Sequence, residues 1–493
     1  MVETIDGTEY KTNYSETSDS TIEETNVYES VKTTSYGNTT VTVYSDLFGR
    51  TLKEETKSGN TIVLLKVYEY NSNGDYTTEQ IKSVTTTVGT SEPETTRYTY
   101  DNNGNITGIY SKVGDNTETT IATYEYDELN QLVKENDKSY TYDFGGNILS
   151  AGNNTYSYST GEWKDKLTSF NGDEITYDES GNPLNYLGAT LTWKNGRSLA
   201  TYTKDDLSIS YKYNTDGLRT QKTVVDEDTK TTYNYIWNGS NLTHQSWDSK
   251  YIHFYYDNSN TILGFTYYNG SSLENYTYIK NMQGDVVGIV DAEGETVATY
   301  TYDAWGNILT ATGDLANINP IRYRGYYYDD EINMYYLQSR YYDQNVGRFV
   351  NSDDVEVLNF AVYHFLGANL YSFCGNNPIV GNDFNGYWNG WWNSVWFVGT
   401  ALDVIIAAIS GGMAIAGINA IKKFLRQNSR KIVKNITKKL LKMIGSTVVK
   451  ALTSIMDIAL SLFATSVGEL IAKAIDWCDP WWGKKRNNGY VFG

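Results

Sequence analysis

A nine-residue unit, Tyr-x-Tyr-Asp-x-x-Gly-Asn-Ile, recurs along this chain and constrains its fold more than any other feature. It reads YTYDNNGNI at Tyr98–Ile106, YTYDFGGNI at Tyr140–Ile148 and YTYDAWGNI at Tyr300–Ile308. Looser copies stand at Tyr44–Arg50, Tyr68–Gly74, Tyr124–Asn130, Thr176–Asn182, Tyr211–Gly217 and Tyr278–Gly284, at irregular spacing. Tyr-x-Tyr places two rings on one face of a strand, because side chains alternate with period two. Asp-x-x-Gly is a turn: the carboxylate accepts nearby backbone N–H groups and Gly takes positive φ. The following Ile or Leu opens the next strand. Each unit is therefore a predicted hairpin, and the sum is one long antiparallel sheet. By the same turn logic the repeat aspartates are expected to be structural caps and not acid catalysts.

Composition agrees and then divides. The chain has 493 residues, length enough for several domains and a large core. Its 45 Tyr against 14 Phe suit sheets in which a ring lies on the pleat and its hydroxyl reaches water. Two Cys exclude a disulfide-stapled scaffold or a cysteine-rich zinc site, and three scattered His (His244, His253, His364) leave little for a histidine metal centre. No metal and no cofactor are expected. The net charge of −19 conceals two opposite parts. Residues 387–493 carry 14 Lys+Arg against 5 Asp+Glu, a net of +9, while the preceding 386 carry −28. Forty-three of the tyrosines precede residue 387, and seven of the 12 Trp follow it. Asymmetry of this kind hints at function. The acidic majority argues against nucleic acid as a partner.

The opening segment MVETIDGTEYKTNYSE has neither a basic n-region nor an apolar h-region, so no signal peptide is expected in it. It begins at once in β texture, as the C-terminal part of a longer protein would.

The repeat units resemble the YD repeats of the RHS/teneurin superfamily. That resemblance implies a mainly β fold, an antiparallel sheet spiralling into a hollow shell that encloses a passenger polypeptide. Between Asn319 and Gly386 four further motifs follow in order: RYRGYYYD (Arg322–Asp329), YYLQSRYYD (Tyr335–Asp343), GRF (Gly347–Phe349) and NLYSFCGNNPI (Asn369–Ile379). They resemble the RHS-repeat-associated core, which plugs the end of the shell and in shell-forming relatives cuts the chain as an aspartic self-protease. Carried over residue by residue, the resemblance implies Asp353 and Asp383 as the catalytic aspartates and Arg340 as their assisting arginine. Cleavage is then expected near Gly386–Tyr387–Trp388, where the composition flips. Two carboxylates held together share one proton, so one serves as base and the other as acid. A neighbouring guanidinium holds one of them charged. The chain departs from the family's Asp-Pro-x-Gly motifs: both prolines are missing, and the first copy, Asp353-Asp354-Val355-Glu356, also lacks its Gly. The aspartates stand wider apart than is usual in the family. These departures leave open whether Asp354 replaces Asp353, whether Arg348 replaces Arg340, and whether the site is dead and the core kept as a plug. The plain structural alternative is that Asp353 and Asp383 cap turns and that Arg348 pairs with the acidic shell.

The tail is physically different. Val404–Ile421 runs 18 residues without a charge, roughly 27 Å as a helix against a hydrocarbon core of about 30 Å. Trp391, Trp392 and Trp396 precede it and Lys422, Lys423 and Arg426 follow, flanks that suit a membrane interface. In SRKIVKNITKKLLKMIG, apolar residues recur at helical spacing among lysines, as in a surface-seeking amphipathic helix. The tail resembles small helical membrane-permeabilising bacteriocins in general character only. Its apolar stretches would equally serve as the core of a soluble helical bundle.

The resulting expectation is the C-terminal part of an RHS polymorphic toxin. Residues 1–318 would form the repeat shell, 319–386 a core acting as a single-turnover aspartic autoprotease, and 387–493 an all-α toxin carried as cargo. The protein would be secreted or delivered from the cell surface, with a target-cell membrane and an immunity protein as partners. The rival is a non-enzymatic cell-surface adhesin with a membrane-anchoring tail.

Overall fold

The structure is a computed structural model that describes residues 2–354, 369–383 and 385–386, apart from short gaps at 6–7, 18–20, 24–25, 29, 47 and 74–75. The expected all-α tail, including Val404–Ile421, lies outside the described residues, as does the segment 355–368. Among the described residues no helix is long and apolar enough to cross a membrane.

The described chain is mainly β. One antiparallel sheet contains 29 strands, and from Thr51–Ser58 to Ile308–Thr312 each strand pairs with the next in sequence. The turn chemistry is as the repeats require. Asp143 Oδ1 accepts the Gly145 and Asn147 N–H groups at 2.8 and 2.9 Å, and Gly146 sits at φ +76°. Asp101 and Asp303 do the same for their own turns. The repeat Asn adds a bond that closes the unit, with Nδ2 donating to Asp Oδ2 at 2.8 to 2.9 Å in all three exact copies.

Each exact copy also carries a bulge. The pairing slips between the middle residue and the second Tyr, as at Thr141/Tyr142 and Thr301/Tyr302. One residue of the partner strand, Leu149 or Leu309, is thereby left opposite nothing and stands 43% or 64% exposed. A bulge bends and twists its strand, so a repeated bulge repeats that distortion along the sheet.

The two tyrosines of a unit do different work, and neither matches the expectation of a hydroxyl reaching water. The first ring is buried, as at Tyr98, Tyr140 and Tyr300. The second donates its hydroxyl to a main-chain carbonyl one hairpin earlier: Tyr126 to Ile106 at 2.7 Å, Tyr158 to Ile148 at 2.8 Å, Tyr302 to Val286 at 2.7 Å. The phenol thus adds a hydrogen bond to a carbonyl beside a bulge. Tyr142→Phe and Tyr302→Phe are each expected to cost about 1 kcal/mol, and about 2 kcal/mol together because the sites are independent. Urea denaturation of the single and double variants checks this.

Early strands lie against late ones. Lys66 Nζ donates to the Lys280 carbonyl at 2.7 Å, Tyr14 OH donates to the Tyr256 carbonyl at 3.2 Å, and Tyr10 stacks on His253 at 3.8 Å. A separate two-stranded piece pairs Thr21–Glu23 with Asn26–Tyr28.

A second, four-stranded sheet follows, formed by Tyr327–Asp329, Met334–Leu337, Arg340–Asp343 and Arg348–Phe349. All of its residues are buried, so both faces are packed. Three tyrosines in and beside this sheet pin one repeat turn: Tyr323, Tyr342 and Tyr335 donate to the carbonyls of Ala304, Trp305 and Gly306 at 2.8 to 2.9 Å. The repeat asparagines reach the same region. Asn307 donates to the Gln344 carbonyl, Asn369 donates to Asn147, and Asn377 donates to Asn105.

Candidate functional site

Arg340 opens the third strand of the small sheet and is 1% exposed, with its guanidinium over the Phe349 ring at 3.5 Å. From this fixed position it reaches four groups. Nη2 lies 2.9 Å from Asp353 Oδ2 and 3.5 Å from Asp383 Oδ2, Nη1 donates to the Leu370 carbonyl at 2.9 Å, and Nε donates to the Gly386 carbonyl. The structure thus brings Arg340, Asp353 and Asp383 together on one guanidinium, with both carboxylates buried.

The two aspartates arrive differently. Asp353 follows the last strand of the small sheet; its N–H donates to the Leu370 carbonyl at 2.9 Å, and its Oδ1 accepts the Asp354 N–H at 2.7 Å. The Asp383 N–H donates to the Tyr326 hydroxyl oxygen at 2.7 Å, and Asp383 Oδ1 accepts the Gly386 N–H at 2.9 Å. Burial pushes the Asp383 carboxyl up to about 7; Arg340 opposes this, Asp353 adds to it, and the Asn385 and Gly386 N–H groups oppose it. Burial also pushes the neighbouring Cys374 thiol up, with Asp383 adding to the effect. A carboxyl that holds a proton near neutrality beside one facing a cation is the arrangement that acid–base chemistry uses.

The alternative residues stand in different places. Asp354 is the more exposed neighbour, and its carboxylate pairs with Arg197 at 2.5 Å, while Asp353 faces Arg340 and Asp383. Arg348 points elsewhere: it donates to Asn147 Oδ1 at 3.0 Å, the Tyr158 hydroxyl at 2.6 Å and the Asp165 main-chain carbonyl at 2.8 Å. These acceptors are neutral, and the Asp165 carboxylate of the repeat region adds an electrostatic attraction.

The segment after Asp383 is clamped. The Asn385 carbonyl accepts the Ser339 N–H at 3.1 Å and the Ser339 hydroxyl at 2.7 Å, and Gly386 follows at φ +71°. A Cβ on Gly386 would stand 2.6 Å from the Leu337 carbonyl oxygen and 3.0 Å from the Arg340 nitrogen, so glycine is required by both space and backbone. Gly386→Ala is expected to displace this segment and, if the chain cuts itself as the sequence resemblance implies, to lower that cutting at least about tenfold. Densitometry of full-length against cut chain checks it.

Elsewhere, a cleft of about 490 Å³ is lined by Asp205, Asp206, Asp226, Glu227 and Glu331 among others, away from the aspartate pair. Among the described residues no group of three His, Cys, Asp or Glu side chains converges to hold a metal.

Comparison with known proteins relates the repeat region and small sheet to a family. The Teneurin YD-shell family matches residues 161–379, which run from the repeat hairpins through the small sheet to Ile379. Over this stretch the chain carries an RHS/YD-repeat shell. Over 291 residues this YD-repeat chain is 35% identical to the tRNA3(Ser)-specific nuclease WapA of Bacillus spizizenii, a match covering 55% of the chain and 12% of that protein. Over 293 residues it is 28% identical to Teneurin-4 of Homo sapiens, covering 57% and 10%. The crystal structure of TcdB2-TccC3-TEV shares the fold at a TM-score of 0.56 and 19% identity, over 73% of this chain and 20% of that one. The YD-repeat chain spans about a tenth of the length of the curated relatives it matches. Its described part is an RHS/YD shell of the kind found in polymorphic toxin-like proteins.

Proposed function

We propose that this chain is the C-terminal portion of an RHS toxin whose shell and core cut the chain once, between Gly386 and Tyr387, to free residues 387–493 as a membrane-permeabilising cargo. The observation that carries the proposal is the contact of one guanidinium, Arg340, with both aspartates and with the Gly386 carbonyl. Asp353, facing Arg340, takes a proton from water as the water oxygen bonds to the Gly386 carbonyl carbon. Arg340 Nε holds the oxygen on which negative charge develops. Asp383 then delivers its proton to the Tyr387 nitrogen as the C–N bond breaks. One cut per molecule needs no turnover and no cofactor.

The cargo reading draws on charge and hydropathy. An acidic enclosure of net −28 suits a basic tail of net +9, and sequestration would keep an apolar, cationic segment away from the producer's own membrane. Delivery outside the producing cell, action at a target-cell membrane and a dedicated immunity protein belong to the same proposal. A second reading has one specific observation in its favour: similar proteins carry the name tRNA nuclease. Against it, the tail contains no His and five acidic residues (Asp403, Asp457, Glu469, Asp476, Asp479).

The purified full chain, opened by mild denaturant and diluted into dye-loaded anionic liposomes or into total tRNA, separates the two. Leakage with intact tRNA supports permeabilisation; tRNA fragments without leakage overturn it in favour of the nuclease. A chain that leaves both untouched removes the toxin reading.

A further inference from the structure

We propose that Arg197, on the tight turn between the repeat strands Ala189–Lys194 and Ser198–Lys204, is a positioning residue that grips Asp353 from the side opposite Arg340, so that the repeat sheet itself completes the aspartate pair. The inference rests on the reading of the site as a self-protease and adds to it a component from the shell.

The geometry is asymmetric. Arg197 Nη1 lies 3.6 Å from Asp353 Oδ1, and its Nη2 lies 2.5 Å from Asp354 Oδ2. Arg340 takes the other oxygen, Oδ2, at 2.9 Å. Each oxygen of Asp353 therefore faces a different guanidinium, whereas Asp383 meets that of Arg340, and at 3.5 Å. Two guanidinium groups on one carboxylate hold it in a fixed orientation, as the base of the proposed mechanism requires. Asp354 has a part in this: by holding Nη2 it fixes the fork that presents Nη1 to Asp353.

The same turn region also places the backbone that carries Asp353. Ser352 donates its hydroxyl to the Ser180 carbonyl at 3.0 Å, and its N–H donates to the Gly181 carbonyl at 3.4 Å. Asn351 Nδ2 donates to the Arg197 carbonyl at 3.4 Å. Two turns of the repeat sheet, at Ser180–Gly181 and Gly196–Arg197, thus dock residues 351–353, and Asn182 Nδ2 joins them by donating to the Gly196 carbonyl at 2.7 Å. A site with Asp353 so placed is assembled only when the sheet has formed past residue 197. Cutting then requires that this part of the repeat sheet has already folded.

The charged and titratable groups facing the pair among the described residues are Arg340, Arg197, Asp354, Cys374 and Tyr326, with Arg324 behind Cys374. Of these, Arg340 and Arg197 are the cations within ion-pair distance of a carboxylate of the pair. Removing Arg197 withdraws one of two favourable charges, and the acid limb of the rate profile is expected to move toward higher pH, while the fall near 7 set by Asp383 stays in place.

The test is the rate of self-cleavage as the full chain refolds from urea at pH values from 4 to 9. Arg197→Gln is expected to cut about tenfold more slowly near neutral pH, with the acid limb of its profile about one unit higher. Arg197→Lys is expected to lie between, since an ammonium keeps the charge but not the planar fork that presents separate nitrogens to Asp353 and Asp354. An Arg197→Gln profile superimposable on the wild type overturns the proposal. If Arg197→Gln fails to regain the wild-type urea midpoint, Arg197→Lys decides alone: an unshifted profile overturns it. A wild-type chain that never cuts overturns the protease reading instead. In that uncut chain, carbon-13 titration of the aspartate pair still measures the grip, and the same apparent values with and without Arg197 overturn the positioning role.

Discussion

On the proposed mechanism, replacing Asp383 with Asn is expected to leave the chain in one piece. The amide would keep the shape of the side chain and its hydrogen bond from the Gly386 N–H, while removing the proton that must reach the leaving nitrogen. The loss in rate is expected to be on the order of 10³ or more, because acid and base act as a unit. Asp353→Asn is expected to do the same by removing the base, and the two changes together should cost little more than either. The pH dependence has a definite sign. The Asp383 carboxyl is pushed up to about 7 by burial, so it carries its proton below that pH and loses it above. Cleavage is therefore expected to be fastest on the acid side of neutrality and to fall as pH rises through about 7. A rate that climbs steadily from pH 6 to pH 9 would show that Asp383 is not the proton donor. Refolding of the wild-type chain into buffers across that range, with the cut fragment quantified over time, makes the measurement.

The largest effect on stability is expected from Asp329→Ala. Asp329 is fully buried and accepts from both Arg219, Nη1 to Oδ2, and Lys222, Nζ to Oδ1 at 2.8 Å. Arg219 is itself 1% exposed and lies over the rings of Tyr336, Tyr235 and Tyr327 at 4.3 to 4.8 Å. Lys222 has a second partner in Glu331 at 2.6 Å. The strand Arg219–Asp226 belongs to the repeats and Asp329 to the small sheet, so the cluster ties one to the other. Truncating Asp329 leaves the buried Arg219 without a carboxylate, at a cost of about 3 to 5 kcal/mol. Burial alone would push the Asp329 carboxyl up, but Arg219 and Lys222 overcome this and hold it below its ordinary range. Its contribution is therefore present at neutral pH and lost only as pH falls below that range, which makes the cluster an acid-sensitive point. Lys134→Ala, which removes an exposed pair with Glu125, is the control and should cost less than about 1 kcal/mol. Urea midpoints measured in the Asp383→Asn background keep the chain length constant. A loss for Asp329→Ala no larger than the control's would contradict the assigned role.

How much could be read from residues alone follows from how local each interaction is. The Asp-x-x-Gly turn closes within five residues, so Asp101, Asp143 and Asp303 announce their hydrogen bonds in the sequence. Hairpins in series then require a meander. The bulge was not visible, because nothing in the Asn-Ile-Leu stretch marks Leu149 as the residue left over. The fate of the tyrosine hydroxyls was misread for a related reason: alternation predicts a face, but not whether water or a neighbouring carbonyl waits beyond it. The aspartates and Arg340 came from a motif resemblance, and only tertiary structure distinguishes Asp353 from Asp354 or Arg340 from Arg348. Arg197 was out of reach altogether. It sits in an ordinary Asn-Gly-Arg turn, and its acidic partners lie more than 150 residues further along the chain.

The intact mass of the freshly purified wild-type chain under denaturing conditions tests the central claim most directly. The account requires two polypeptides, ending at Gly386 and beginning at Tyr387, that remain together until denatured. A single species at 55.7 kDa, matching the Asp383→Asn chain, would contradict it.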